Sequence, residues 1–110
     1  MSDHFIDDLM FITPLGHPPG IRLVGQVIGV HKIPLALALR SCRRQNGDVT
    51  VDLTGVHCLS RSSLETLVDA ARTLPPPLRL ILRARPALGL QERLAARGWH
   101  QLESLQLSEA

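Results

Sequence analysis

Aromatic residues are nearly missing from this chain: two phenylalanines, one tryptophan and no tyrosine in 110 residues. A core must therefore be assembled from Leu, Val, Ile and Ala, and the stacking platforms on which single-stranded nucleic acids rest are lacking. Lysine is scarcer still, with Lys32 the only one, so nearly all positive charge is arginine. A net charge of +2 is too small to mark a nucleic-acid surface. Arg22, Arg79, Arg83 and Arg85 are read as a solvated sheet face, and no nucleic-acid partner is expected. Cys42 and Cys58 stand alone, without the short spacing of a metal or redox motif, and are read as buried free thiols. No apolar run approaches the roughly 20 residues of a membrane span, so no membrane insertion is expected. The opening "MSDHFIDDLM" is acidic and has no basic leader segment, which points to the cytoplasm rather than to secretion. A glycine-rich phosphate loop is wanting as well: "GQVIG" has two glycines and leads to no helix at the required spacing. No cofactor is expected.

What the chain does have is period. It is 45% hydrophobic and 20% charged, the profile of one globular domain over residues 1–110 with its core at about 20–107. A short strand is expected near Met10–Thr13, followed by a turn-rich connection through Pro14, Gly16, Pro18, Pro19 and Gly20. "IRLVGQVI" (21–28) alternates as a strand does. Pro34 then suits the first turn of a helix with Leu35, Leu39 and Cys42 on its buried face, Arg43 and Arg44 in its last turn and Gly47 as terminator. Val49, Val51 and Leu53 alternate with Thr50, Asp52 and Thr54 over 48–56, a clean strand. Leu64, Leu67, Val68, Ala71 and Leu74 form one stripe of a helix over 62–74, with Glu65, Asp69 and Arg72 outward. "LPPPL" (74–78) marks a stiff connection, "LRLILR" (78–83) a strand, and "RPALGLQERLAARG" (85–98) a helix from Pro86 to a stop at Gly98. A last strand is placed near Leu102–Leu107. Strands alternating with helices predict an α/β domain whose later strands are largely parallel. Functional groups in such sheets gather beyond the carboxyl ends of the strands, and "GVHCLSRSS" is such a loop.

Ser62 draws attention there. With Glu65 it fits a capping box, the hydroxyl accepting from an early helical N–H and the carboxylate reaching back. The same geometry suits a phosphoserine, since free N–H groups and the helix dipole both favour an anion. Arg61 is the odd neighbour, because a cation at a helix N-terminus is disfavoured unless an anion visits or the side chain reaches into water. His57 and Cys58 are adjacent in an extended segment and so point to opposite faces, poor geometry for a metal or a nucleophile pair. Neither a metal site nor catalytic residues are expected, and an enzyme is not the favoured reading.

The stretch "VDLTGVHCLSRSSLETLVDAARTL" (51–74) resembles the central segment of STAS domains, the family of anti-sigma factor antagonists and related modules. Asp52-Leu53-Thr54-Gly55-Val56 resembles the family's Asp-Leu-Ser-Gly-Val, and Ser60-Arg61-Ser62-Ser63 stands where it has Asp-Ser-Ser-Gly. "IRLVGQVI" falls where the family has a strand ending Gly-Glu-Leu-Asp, here Gly25-Gln26-Val27-Ile28; "HKIPLALAL" and "RPALGLQERLAARGW" resemble its first and last helices. The resemblance covers about residues 20–107 and implies a four- or five-stranded mixed sheet packed against three or so helices. It implies a non-enzymatic interaction module that binds an anti-sigma factor or related serine kinase, with Ser62 as phosphoacceptor. Ser60, Arg61, Ser62, Ser63, Glu65, His57 and Gln26 would then be the contact residues. Arg61 reverses the charge of the family's acidic patch and would set the choice of partner. The alternative is a constitutive structural subunit of a lipid-transport ATPase or signalling assembly, with no phosphorylation switch. A homodimer is left open.

Overall fold

Residues that alternate in a strand go to opposite faces of the sheet, and this alternation organises the molecule. The computed structural model describes residues 5–6, 9–15, 19–42 and 47–109. Its elements in order are β1 (Phe5–Ile6), β2 (Met10–Leu15), β3 (Gly20–Val27), α1 (Lys32–Cys42), β4 (Val49–Leu59), α2 (Arg61–Arg72), β5 (Leu80–Ala84), α3 (Leu90–Ala96) and β6 (Leu105–Glu109), with single 3₁₀ turns at Gly29–His31, Pro86–Leu88 and Trp99–Gln101. The strands form one mixed sheet in sequence order, β1 to β6. β1, β2 and β3 are antiparallel neighbours, while β3, β4, β5 and β6 run parallel. The expected α/β class holds, and the strand beyond the expected five is the two-residue β1.

Each parallel step needs a helical crossover, and right-handed crossovers that all advance the same way lay their helices on one face. That face carries Met10, Ile12, Ile21, Leu23, Val51, Leu53, Leu80, Leu82 and Leu105, all buried in one cluster with the apolar stripes of the helices. Leu35 and Leu39 of α1 and Leu64, Leu67, Val68 and Ala71 of α2 are buried, as their periodicity predicts. The side chain of Cys42, and Arg43 and Arg44, lie outside the described residues. The opposite sheet face carries Phe11, Arg22 and Arg83, all exposed, with Val24 and Ile81 half-buried.

Several boundaries differ from the expectation. Pro14 ends no strand: it lies within β2, and Gly20 opens β3, while Gly16 and Pro18 lie outside the described residues. The helix expected over 85–98 is broken at Gly89, whose left-handed φ of +67° ends the turn at Pro86–Leu88 before α3 begins. That break lets Leu88 pack on the core and still brings Leu90 and Leu94 inward, which one continuous helix would do with a different phase. Gly98 does stand just past α3 with a positive φ of 72°, and β6 begins later than expected, at Leu105. Gly25 is required for another reason. Its φ is +104°, and a side chain there would overlap the Leu9 carbonyl oxygen, which accepts the Gln26 N–H at 2.9 Å.

On the face away from the helices, Thr13, Arg22, Asp52, Arg83 and Ser108 stand in register across five strands. Asp52 is only 4% exposed despite its position. Its Oδ1 accepts the Thr54 N–H at 2.9 Å and the Thr54 hydroxyl at 2.7 Å, and its Oδ2 accepts from Arg22 Nε at 3.2 Å. Burial alone would raise the proton affinity of this carboxyl; the hydrogen bonds from Thr54 and the Arg22 guanidinium outweigh it and hold the group below its ordinary 3.8. Folding thus disfavours protonation, so the stabilisation is complete above the ordinary carboxylate range and is lost as the pH falls through the lowered value. Asp52→Asn is expected to reduce stability by about 1–3 kcal/mol at neutral pH. In urea unfolding followed from about pH 6 to pH 3, the variant should lose less stability than the wild type; parallel curves would refute the assignment.

Candidate functional site

The carboxyl ends of β3 and β4 lie side by side, with Val27 opposite Leu59. Val27 O accepts the Ser60 N–H at 2.9 Å, which keeps β4 extended to its last residue. Most of "GVHCLSRSS" is therefore not a loop: 55–59 belong to β4 and 61–63 to α2. The pairing of β3 with β4 shifts register twice, and at the second shift Gly25 faces Val56 while Gln26 faces Cys58. His57 is the extra residue of that bulge. Strict alternation fails there, and His57 and Cys58 are both exposed. Cys58 is thus a free thiol on the surface, not the buried one expected.

The cap of α2 also differs from the expectation. Ser60, not Ser62, is the N-cap: its φ and ψ are −70° and 162°, and its Oγ accepts the Ser63 N–H at 3.1 Å. Its own hydroxyl proton goes to Ser63 Oγ at 2.9 Å. Ser62 Oγ lies 3.2 Å from Ser60 Oγ, and with the Ser60 proton committed, Ser62 is the donor. Glu65 does not reach back to the cap; it meets Arg97 Nη2 at 3.5 Å, and Arg97 in turn lies 5.1 Å from the Trp99 ring centre. Where β4 stops decides the cap. Three serines within four residues are all competent, and the Ser60–Val27 bond selects the first.

Gln26, His57, Cys58, Arg61 and Ser62 are exposed together at this end of the sheet, and Ser60 is half-buried. Ser63 is only 1% exposed and offers nothing to a partner. Arg61 is the one arginine of this rim, and among the described residues no carboxylate pairs with it. The backbone N–H groups of Arg61 and Ser62, in the first helical turn, have no acceptor among the described residues. The rim is thus cationic and rich in unused donors.

Two residues not singled out from the sequence shape it. His31 is fully buried, and its Nδ1 accepts the Ile28 N–H at 3.0 Å while its own N–H donates to Ile28 O at 2.9 Å. This closed turn places Gly29 beside Ser62, such that a side chain on Gly29 would come within 3.3 Å of the Ser62 hydroxyl. Nothing in the sequence separates a histidine that accepts from its own turn from one on the surface. Beyond the turn, Ile33 and Leu37 stand one helical turn apart on α1, 72% and 55% exposed.

Depressions lie elsewhere: one of about 250 Å³ between α1 and α2, lined by Lys32, Arg40, Thr66 and Asp69 among others, and one of about 350 Å³ beside α3 and β6. No three His, Cys, Asp or Glu side chains among the described residues gather as a metal site would require. Among the described residues no helix is long and apolar enough to cross a membrane. No protein-family model matches the chain, and no curated protein matches it in sequence.

The cap assignment has a direct test. Ser60→Ala should cost about 1 kcal/mol of stability, whereas Ser62→Ala should stay within about 0.5 kcal/mol of the wild type. Chemical denaturation of both variants decides between them, and the reverse ranking would return the cap to Ser62.

Proposed function

We propose that this chain is a non-enzymatic, STAS-like protein-interaction module that regulates an anti-sigma factor or related serine kinase, with phosphorylation of Ser62 as its switch. The observation that carries this reading is the position of Ser62. It lies in the first turn of α2, exposed, and is not the residue that caps the helix. Its side chain is exposed, and the free N–H groups of the first turn, with the positive end of the dipole, favour an anion at that spot. The order of the sequence blocks that resemble the family supports the same reading.

The chemistry is a phosphoryl transfer performed by the partner. Ser62 Oγ attacks the γ-phosphorus of ATP in the kinase site, an O–P bond forms, the bond to ADP breaks, and the serine proton passes to the kinase's base. Before transfer the rim presents the Arg61 cation. Afterwards it carries ≈ −1.5 to −2 more charge and turns anionic. A partner that complements the first state is repelled by the second, and Arg61 selects a partner whose facing surface is acidic or neutral. Exposed Ile33 and Leu37 provide apolar area near the same turn, which phosphorylation leaves unchanged.

Intact-mass analysis of the protein isolated from its native host, with peptide mapping over 45–72, should find phosphate on Ser62 in at least one growth condition. Ser62→Glu should weaken retention of the captured kinase at least about tenfold, some 1.4 kcal/mol, while Ser62→Ala keeps it bound. An unmodified Ser62 throughout, with a partner retained by both variants, would instead establish the constitutive structural subunit.

A further inference from the structure

The sheet ends at β6, and the outer edge of that strand is unpaired among the described residues. Edge strands invite pairing with another chain, and most are blunted by lysine, proline or an inward charge. β2, near the other edge, carries Pro14, whereas β6 reads Leu105-Gln106-Leu107-Ser108-Glu109 with no proline or cation.

The hydrogen-bond phase of β6 is set by its neighbour. Leu80 N donates to Ser104 O at 2.7 Å, with Leu80 opposite Leu105. In a parallel ladder this directs the backbone groups of Gln106 and Ser108 toward β5. Leu107 therefore turns both its N–H and its C=O outward. The Leu105 N–H is used by Leu102 O at 3.2 Å, which leaves its C=O outward, as is the Glu109 N–H.

We propose that β6 pairs antiparallel with β6 of a second copy of this chain, about a twofold axis at Leu107, so that one sheet runs through both copies. A residue with both backbone groups outward is what the centre of such a pair needs: Leu107 and its symmetry mate exchange two N–H···O bonds. The Glu109 N–H of each chain then meets the Leu105 C=O of the other, and no outward donor or acceptor of the central residues is stranded. Leu107 packs against its own copy on the helix side, and Gln106 faces Ser108 on the other. Any extended peptide could match these backbone groups; what marks a second copy is that the twofold sets Leu107 on Leu107 and Gln106 against Ser108 in both chains at once, as an isologous interface requires. The depression of about 350 Å³ beside this edge, lined by Gln91, Leu94, His100, Leu105 and Leu107, gives the incoming strand an apolar seat. So short an edge buries less than the ≈ 1,600 Å² of a standard interface, so the dimer is weak and concentration-dependent.

Sedimentation equilibrium of the full chain should show a monomer–dimer equilibrium in the micromolar to millimolar range, and Leu107→Lys should shift it at least about tenfold toward monomer. Disulfide trapping keeps the register testable should that variant fold poorly. With Cys42 and Cys58 replaced by serine, Leu107→Cys should cross-link on mild oxidation. Ser108→Cys should not, because its symmetry mate lies two residues out of register. A monomer at all concentrations, a dimer indifferent to Leu107→Lys, or preferential trapping through position 108 would each overturn the proposal. Retention of an unrelated extended peptide at β6 in place of self-pairing would overturn it too. None of these outcomes bears on Ser62.

Discussion

The parallel pairing of β3 with β4 is the constraint on which the rest of the molecule depends. It lies inside the sheet, so both strands are held by neighbours and by the helices above them. It also sets where β4 ends. The last bond of that ladder, from Ser60 N to Val27 O, decides which serine caps α2, and so which remains on the surface. The second register shift within the same pair turns His57 and Cys58 outward at the rim. Chemistry at the end of the sheet is therefore inherited from pairing inside it.

The same two strands are joined again on the face without helices. Asp52 would be an expensive group to bury alone, since an ionised carboxylate in a poorly solvated place needs several donors. Thr54 supplies two and Arg22 a third, from the neighbouring strand. The polar cluster thereby fastens the register of β3 against β4 from one side while Leu23, Val51 and Leu53 fasten it from the other. A slip by one residue would bring apolar side chains to the outer face and break the cluster at once.

Much of this was legible in the sequence, and what was not has specific causes. The stripe of Leu64, Leu67, Val68, Ala71 and Leu74 and the alternation of Val49, Val51 and Leu53 marked α2 and β4 without ambiguity, because long periodic segments average out local exceptions. β1 was invisible, since two residues carry no period. The break at Gly89 was hidden because the apolar pattern on either side still reads as one helix, and only a left-handed residue betrays the change of phase. The cap was misplaced by two residues because the Ser60-Arg61-Ser62-Ser63 run satisfies the local rules in more than one frame. A bulge defeated the reading of Cys58, for alternation is a property of unbroken ladders. In each case a local signal was overruled by a partner strand that the local window does not contain.

The division of labour between Ser60 and Ser62 has an evolutionary corollary. Where one serine both starts a helix and receives a modification, selection on folding protects the modification site as a by-product. Here Ser60 carries the structural duty alone, so position 62 is exposed to drift. On the proposed switch, descendants that replaced it would fold as before and be mute rather than broken. Persistence of a hydroxyl at 62 across such a lineage would thus point beyond its one exposed bond to Ser60, toward the proposed phosphorylation.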